Sequence, residues 1–352
     1  MHSHSKLDKA GWQSYISGIH LESIPENVAR IAIENKSNYL VFTSKGEKPA
    51  VLRGNLIKAG EFPRVGDWIE YSMIPNDDKV VIERILSRKT LIARNDGEAR
   101  QEIASNVDIL FIVQSLDKDF SLPRLERYLV LARESKVQPI VLINKTDLKE
   151  DHSDDISQVK AIAMDVPVLP VSAKNKTGLG KVKEFIQPGL TVAFMGSSGV
   201  GKSSLINAIL GVDIQMTGEV RLSDSRGKHT TTKRELIILP SGGILLDTPG
   251  IRELGMSAGT TGLNDVFDDL DELSLNCKYS NCDHEKSQGC AILNAIETGE
   301  LDPQRYHRYL KLKKEIDFIE SKTSKKKELE RKQSEKKQNS DLKKILKHKH
   351  RE

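Results

Sequence analysis

The sequence predicts an α/β protein in which a parallel sheet with covering helices follows a small β-barrel and precedes a helical, metal-binding segment. Three observations carry this. Between about Ser23 and Arg94 short β-type runs recur between turn residues. From about Asn106 near-continuous apolar runs alternate with helical periodicity. All three cysteines of the 352-residue chain fall between Cys277 and Cys290. A chain of this length holds two or three domains. The divisions read as an N-terminal extension (1–22), a β-barrel (23–98), an α/β domain (99–260), a helical cysteine-bearing domain (261–320) and a basic tail (321–352).

Residues up to about Leu21 show little pattern and read as a mobile extension. The first residues, Met1 to Lys6, are polar and hold no apolar core of a signal peptide. The barrel reading rests on Val28–Ile33, Tyr39–Phe42, Asp67–Tyr71 and Val80–Ile85, separated by Lys45-Gly46, Pro63-Arg64 and Pro75 to Asp78. About five short strands in such a span fit an OB-fold, and an SH3-like barrel reads much the same. Arg53, Lys58 and Arg64 face either RNA or plain solvent.

Val107 to Val113 is apolar at nearly every position, as a strand buried on both faces requires. Leu122, Leu125, Leu129 and Ala132 then recur at helical spacing, and Pro139–Ile143, Val168–Val171 and Thr191–Met195 repeat the strand signal. Alternation of this kind implies a parallel sheet.

The segment Gly196-Ser197-Ser198-Gly199-Val200-Gly201-Lys202-Ser203 matches the P-loop pattern in full, with Ser204 extending it. It follows a strand and opens an apolar helical run, the context the motif requires. Its glycines let backbone N–H groups wrap phosphates. Lys202 reaches the β- and γ-phosphates, and Ser203 ligates Mg²⁺. Asp247-Thr248-Pro249-Gly250 follows the strand Ile244–Leu246. Asp247 holds Mg²⁺ through water, and the Gly250 N–H senses the γ-phosphate. Asn144-Lys145-Thr146-Asp147 closes the strand Ile140–Ile143. The Asp147 carboxylate accepts from guanine N1–H and the 2-amino group, a donor pair adenine lacks, while the Lys145 stem packs on the base. Ser172-Ala173-Lys174 follows the next strand and offers the Ala173 N–H to guanine O6. A switch threonine completing Mg²⁺ coordination falls in Gly227 to Thr232, with Thr231 the first choice and Thr230 the second. Ile251, directly after the DxxG, is apolar and cannot orient water. His229 is the internal candidate for that role, with a group supplied by a partner as the alternative. The guanine-reading motifs precede the P-loop, so the order is circularly permuted. A sheet depends on spatial order rather than on where the chain is cut, so the same site can still form.

The pattern Cys277-x4-Cys282-x-His284-x5-Cys290 supplies four ligands for a closed tetrahedral zinc site, structural rather than catalytic. The absence of cysteine elsewhere argues for a reducing compartment. No apolar stretch reaches membrane-helix length and no prenylation box ends the chain, so the protein reads as cytoplasmic. Net charge is +4, yet from Ser321 to Glu352 there are 11 Lys and 2 Arg against 5 acidic residues, a local balance of +8. The remainder is therefore acidic. Such a tail points to nucleic acid or serves as a solubilising appendage.

Taken together, NKTD, SAK, GSSGVGKSS, GKHTTT, DTPG and the cysteine pattern resemble the bacterial ribosome small-subunit-dependent GTPase family over residues 24–315. The resemblance implies an N-terminal OB-fold, a circularly permuted P-loop GTPase domain and a C-terminal helical zinc-binding domain. It implies hydrolysis of GTP to GDP, stimulated by the 30S ribosomal subunit, in late subunit maturation. It also implies that the OB and zinc domains grip 16S rRNA. The expected form is a monomer with no membrane partner, using Mg²⁺ with GTP and one structural Zn²⁺. An rRNA-binding scaffold set by GTP, with incidental hydrolysis, is the alternative. The lack of a lipid anchor counts against a signalling or trafficking GTPase.

Overall fold

The computed structural model describes residues 5–20, 25–35, 38–95, 100–211, 234–247, 261–284 and 287–322. Residues 5–20 were expected to be a mobile extension. Instead they form α1 (Ser5–Lys9) and α2 (Trp12–Ser17), and they are packed. Leu7, Ala10, Trp12 and Tyr15 are buried with Val28, Trp68 and Leu86. Trp12 and Tyr15 both meet the Trp68 ring, at centroid distances of 4.8 and 5.4 Å. Aromatic burial of this size outweighs the weak helix propensity of such short segments.

Five strands make the barrel: β1 (Val28–Glu34), β2 (Tyr39–Thr43), β3 (Gly46–Leu52), β4 (Trp68–Met73) and β5 (Val80–Ile85). Helix α3 (Gly54–Ala59) lies between β3 and β4. The spatial order is β1-β2-β3-β5-β4, with β4 pairing back onto β1 and β3 running parallel to β5. That closure is an OB-type barrel and decides against the SH3-like alternative. Alternate residues such as Ala29, Ile31, Val41, Ile69 and Ile82 fill its core.

A ribbon of β6 (Leu91–Asn95) and β7 (Arg100–Ser105) leads into the second sheet. This sheet comprises β8 (Ile109–Ser115), β9 (Gln138–Asn144), β10 (Val168–Pro170), β11 (Thr191–Met195), β12 (Arg234–Ile238) and β13 (Ile244–Asp247). Its order is β10-β9-β8-β11-β13-β12, parallel throughout except for β12. β12 also pairs with β1, through Ile33 with Glu235 and Glu34 with Arg234, which joins sheet and barrel. Helices α4 (Leu122–Glu134) and α5 (Ser153–Ala163) cover one face, and α6 (Leu179–Glu184) and α7 (Lys202–Leu210) the other. Along β8, Leu110 and Ile112 face the first layer, whereas Ile109, Phe111 and Val113 face the second. Burial on both faces is why the run carries no polar alternation.

The C-terminal part holds α8 (Thr261–Val266), α9 (Asp268–Leu275), α10 (Ala291–Glu297) and α11 (303–322). It docks on α4. Gly262 sits so close that a Cβ there would lie 2.3 Å from the Val130 carbonyl oxygen. Buried Glu126 accepts from Arg308 (2.7 Å), and Arg305 pairs with Asp269 (2.7 Å) while stacking over Phe267. Arg127 binds Glu315 through two hydrogen bonds of 2.6 and 2.8 Å.

Candidate functional site

Strands β8, β9 and β10 step outward in one direction, and β11 and β13 step in the other. The switch point between β8 and β11 opens a crevice at the strands' carboxyl ends, where ligands of open α/β sheets bind. The P-loop leaves β11 at that crevice, the NKxD motif leaves β9, and Ser172 to Lys174 follow β10.

One side chain ties these three segments together. Asn144 is buried at the end of β9. It donates through Nδ2 to the Val200 carbonyl of the P-loop (2.8 Å) and accepts at Oδ1 from the Ala173 N–H (3.2 Å). The approach is so close that a Cβ on Gly201, whose φ is +95°, would lie 2.3 Å from Asn144 Nδ2. Gly201 therefore meets both a left-handed backbone and an occupied space, and α7 starts directly after it. Gly196 is similarly confined, its hypothetical Cβ falling 2.5 Å from the Val113 carbonyl.

Lys145 stands in the left-handed region, with φ of 64°. Its ammonium donates to Asp117 Oδ2 (2.6 Å) and to the Gly199 carbonyl (2.8 Å), which lays its stem along the P-loop. Asp147 Oδ1 accepts from Ser172 Oγ (2.5 Å), while Oδ2 lies 3.8 Å from Lys174 Nζ. The Ser172 hydrogen bond holds the Asp147 carboxyl below its ordinary range. The side chain is thus an acceptor at neutral pH, with Oδ2 within ion-pair distance of the exposed Lys174 ammonium. Thr146 donates to the Val171 carbonyl (3.1 Å), anchoring the turn. Lys202 Nζ folds back onto the Gly196 and Ser197 carbonyls at 2.6 and 2.5 Å. Ser198 and Gly199 are exposed in the loop, and Ser203 and Ser204 are exposed in the first turn of α7. These residues form one surface of backbone donors and a lysine at a helix N-terminus, which suits a phosphate chain. Asp247 ends β13, in register with Glu235. His229, Thr230, Thr231 and Gly250 lie outside the described residues.

Asp117 is a site residue that sequence reasoning missed. It follows β8 and also accepts from Ser115 Oγ (2.7 Å) and the Asp119 N–H (3.0 Å). Burial alone would raise its pKa, but Lys145, Ser115 and the Asp119 N–H outweigh that and hold it at about 2. Its only sequence signal is an acidic residue just past a buried strand, which is too common to single out.

A second cluster lies in the C-terminal part. The ligand atoms of Cys277, Cys282, His284 and Cys290 all fall within 4.8 Å of one another. His284 Nδ1 is 3.5 Å from the sulfurs of both Cys277 and Cys290. Tetrahedral Zn–S and Zn–N bonds of ~2.3 and ~2.0 Å would separate sulfur and nitrogen by about 3.5 Å. The donor set fits a metal ion of that kind. The Ala291 and Leu293 N–H groups donate to the Cys277 and Cys290 sulfurs (3.3 and 3.5 Å), which favours their thiolate form as metal ligands. Tyr306 donates its hydroxyl to the His284 carbonyl (3.2 Å).

A parallel sheet with a P-loop at its switch point, guanine-reading motifs upstream of it, an OB-type barrel before and a Cys3His cluster after define a circularly permuted GTPase. Known proteins agree. The family model described as RsgA GTPase matches residues 85–257, and an ABC transporter model matches residues 179–350, a stretch that also contains the P-loop. A "Small ribosomal subunit biogenesis GTPase RsgA" of Leptospira interrogans is 40% identical over 314 residues, 88% of each chain. One of Methanosarcina acetivorans is 39% identical, covering 82% of this chain and 79% of its own. Among solved structures, YjeQ from Thermotoga maritima matches with TM-score 0.63 and 28% identity, covering 82% of this chain and 98% of that one. "YloQ, a circularly permuted GTPase" matches with TM-score 0.60 and 29% identity, covering 85% and 96%. The chain belongs to the RsgA GTPase family and is a GTP-hydrolysing enzyme.

Proposed function

We propose that the chain binds GTP in the switch-point crevice, hydrolyses it to GDP and phosphate, and is stimulated by the 30S subunit during late maturation of that particle. The observation that supports this best is the Asn144 side chain, which joins the NKxD turn, the SAK loop and the P-loop into one pocket. The relatives' shared name supports the partner. Asp147 reads the guanine edge, Lys145 lies along the base, and the Ala173 N–H meets O6. The N–H groups of Gly196 to Ser204 hold the phosphates, and Lys202 swings from its carbonyls to the β- and γ-oxygens. Ser203, Thr231 and Asp247 would hold the Mg²⁺ that accompanies GTP, which would supply charge neutralisation at the phosphates, and the Gly250 N–H would sense the γ-phosphate. His229 orients the attacking water, with a ribosomal group as the alternative.

In this reading the barrel (23–98) and the zinc domain (261–320) flank the GTPase domain (99–260) and contact 16S rRNA. The tail (321–352) adds positive charge. The metal in the Cys3His cluster is zinc, one per chain, and the protein acts as a cytoplasmic monomer. No described helix is long and apolar enough to cross a membrane. GTP turnover measured alone and with purified 30S, 50S and 70S particles tests the proposal. We expect strong stimulation by 30S, and activation by 50S alone would overturn the assignment.

A further inference from the structure

Away from the nucleotide crevice, the N-terminal end of α4 meets α11 across an open cleft of about 310 Å³. Arg124 and Arg127 line it from α4 and Arg308 and Lys311 from α11, with Tyr128 at its floor; none of the lining residues is a carboxylate. Cations at this end of a helix run against what helix stability favours. The first turn of α4 carries no acidic residue, and Arg124 sits where the macrodipole is already positive. A local rule broken in this way is expected at functional positions.

Two carboxylates that do not line the cleft hold two of its arginines. Glu315 grips Arg127 at both nitrogens, and buried Glu126 grips Arg308. Arg124 is held by a single hydrogen bond to the Asp119 carbonyl (3.2 Å), and Lys311 is exposed, with no ion pair among the described residues. Arg127 and Arg308 are thus held by ion pairs, Arg308 also lying 3.8 Å from Asp302, whereas Arg124 and Lys311 have no carboxylate partner among the described residues. We propose that this cleft binds the phosphodiester backbone of RNA, clamped between the GTPase domain and the C-terminal helix. A polymer is favoured over a free phosphate because the sequence following α11 extends the positive charge, with its balance of +8 from Ser321 onward. Regularly spaced phosphates engage both features, whereas a single anion engages one. The proposal rests on the ribosomal reading above only for the identity of the RNA.

The test is R124Q/K311Q in the full chain, which touches no nucleotide-site residue. Affinity for purified 30S subunits is measured over a salt series, with basal GTP turnover as the control for folding. Each lost phosphate contact lowers the slope of log K against log[salt] by about 0.7–0.9. The double variant should therefore lose about 1.4–1.8 from the slope and bind severalfold more weakly, at unchanged basal turnover. Equal slope and affinity would overturn the cleft. If wild-type protein fails to bind 30S subunits, the ribosomal reading falls. The cleft is then judged on rRNA extracted from those subunits, where the same slope loss supports it and its absence overturns it. A photo-crosslinker at position 311 that captures protein and no RNA would also overturn it.

Discussion

At the scale of single residues, the two carboxylates of the crevice differ in how visible they are. Asp147 is legible from the sequence because NKxD fixes its neighbours and its place after a strand. Its chemistry leads to a sharp expectation. Ser172 already occupies Oδ1, so Asp147→Asn keeps that acceptor and turns the other oxygen into an amide donor. Xanthine presents a carbonyl where guanine has the 2-amino group. The variant should bind GTP at least about tenfold more weakly, the scale of a hydrogen bond to a charged group, and prefer xanthine nucleotides. Equal GTP affinity in a titration would remove Asp147 from base reading. Asp117 was illegible because its partner, Lys145, is 28 residues away and meets it only where β8 and β9 end side by side. Its folded pKa of about 2 lies below the ordinary 3.8. A carboxyl lowered in this way stabilises the fold above its unfolded pKa, and the contribution fades as pH falls toward the folded value. With partial solvent screening it is worth about 1–2 kcal/mol. Urea unfolding should show Asp117→Asn less stable than wild type above about pH 5, with the gap closing toward pH 2. A gap unchanged from pH 7 to 3 would contradict the ion pair.

At the scale of elements, legibility follows periodicity. The buried strands β8, β9 and β11 announce themselves as apolar runs, and β1, β2 and β5 as short β-rich stretches between turns. β3 hides because Gly46 and Pro49 dilute its β signal, and no pattern in a single strand reveals that it pairs in parallel with β5. Helices α1 and α2 hide for a different reason. Five and six residues are too few to show a period, and what holds them is Trp68, more than 50 positions away. Behind them Arg30 is fully buried. It donates to the carbonyls of Ala10 (2.7 Å), Gly66 (3.2 Å) and Asn106 (3.0 Å), so it ties the N-terminal helices, the barrel and the link between β7 and β8 together. Desolvation pulls its pKa down to about 10, which leaves it charged at neutral pH. The N-terminal helices are therefore part of the fold. Trp12→Ala should cost about 3–5 kcal/mol in chemical denaturation, as a buried tryptophan does. A change within 0.5 kcal/mol would return residues 5–20 to the status of an appendage.

At the scale of the whole molecule, the two faces of the parallel sheet have separate cores. The face covered by α6 and α7 packs Phe111, Phe194, Val200 and Leu205 beneath the P-loop and, among the described residues, includes none of the C-terminal part. The opposite face, under α4 and α5, continues into Leu263, Phe267, Cys290, Ile292 and Tyr306. Permutation gives this division a consequence. The chain passes from Asp247 through residues 248–260 directly into α8, which is seated on α4 with Gly262 against Val130. Chain connectivity thereby places residues 248–260 between the sheet at one end and the docked domain at the other. The docked domain also carries the Cys3His cluster, whose four ligand atoms lie close enough together to hold a metal ion. Residues 276–290 hold no regular helix or strand among the described residues, and Cys290 is their buried side chain. Metal ligation supplies folding energy that so little apolar burial cannot. Cys282→Ser, or chelation, should therefore release one zinc per chain, measured by metal analysis, and open the stretch after Asn276 to limited proteolysis. GTP affinity should stay within about threefold of wild type, because the P-loop rests on the other core. Under the proposed function, stimulation by 30S subunits should fall much further. Loss of nucleotide binding in step with the metal would mean that the two cores are one cooperative unit, and intact protease resistance without metal would mean that the cluster does not hold the domain together.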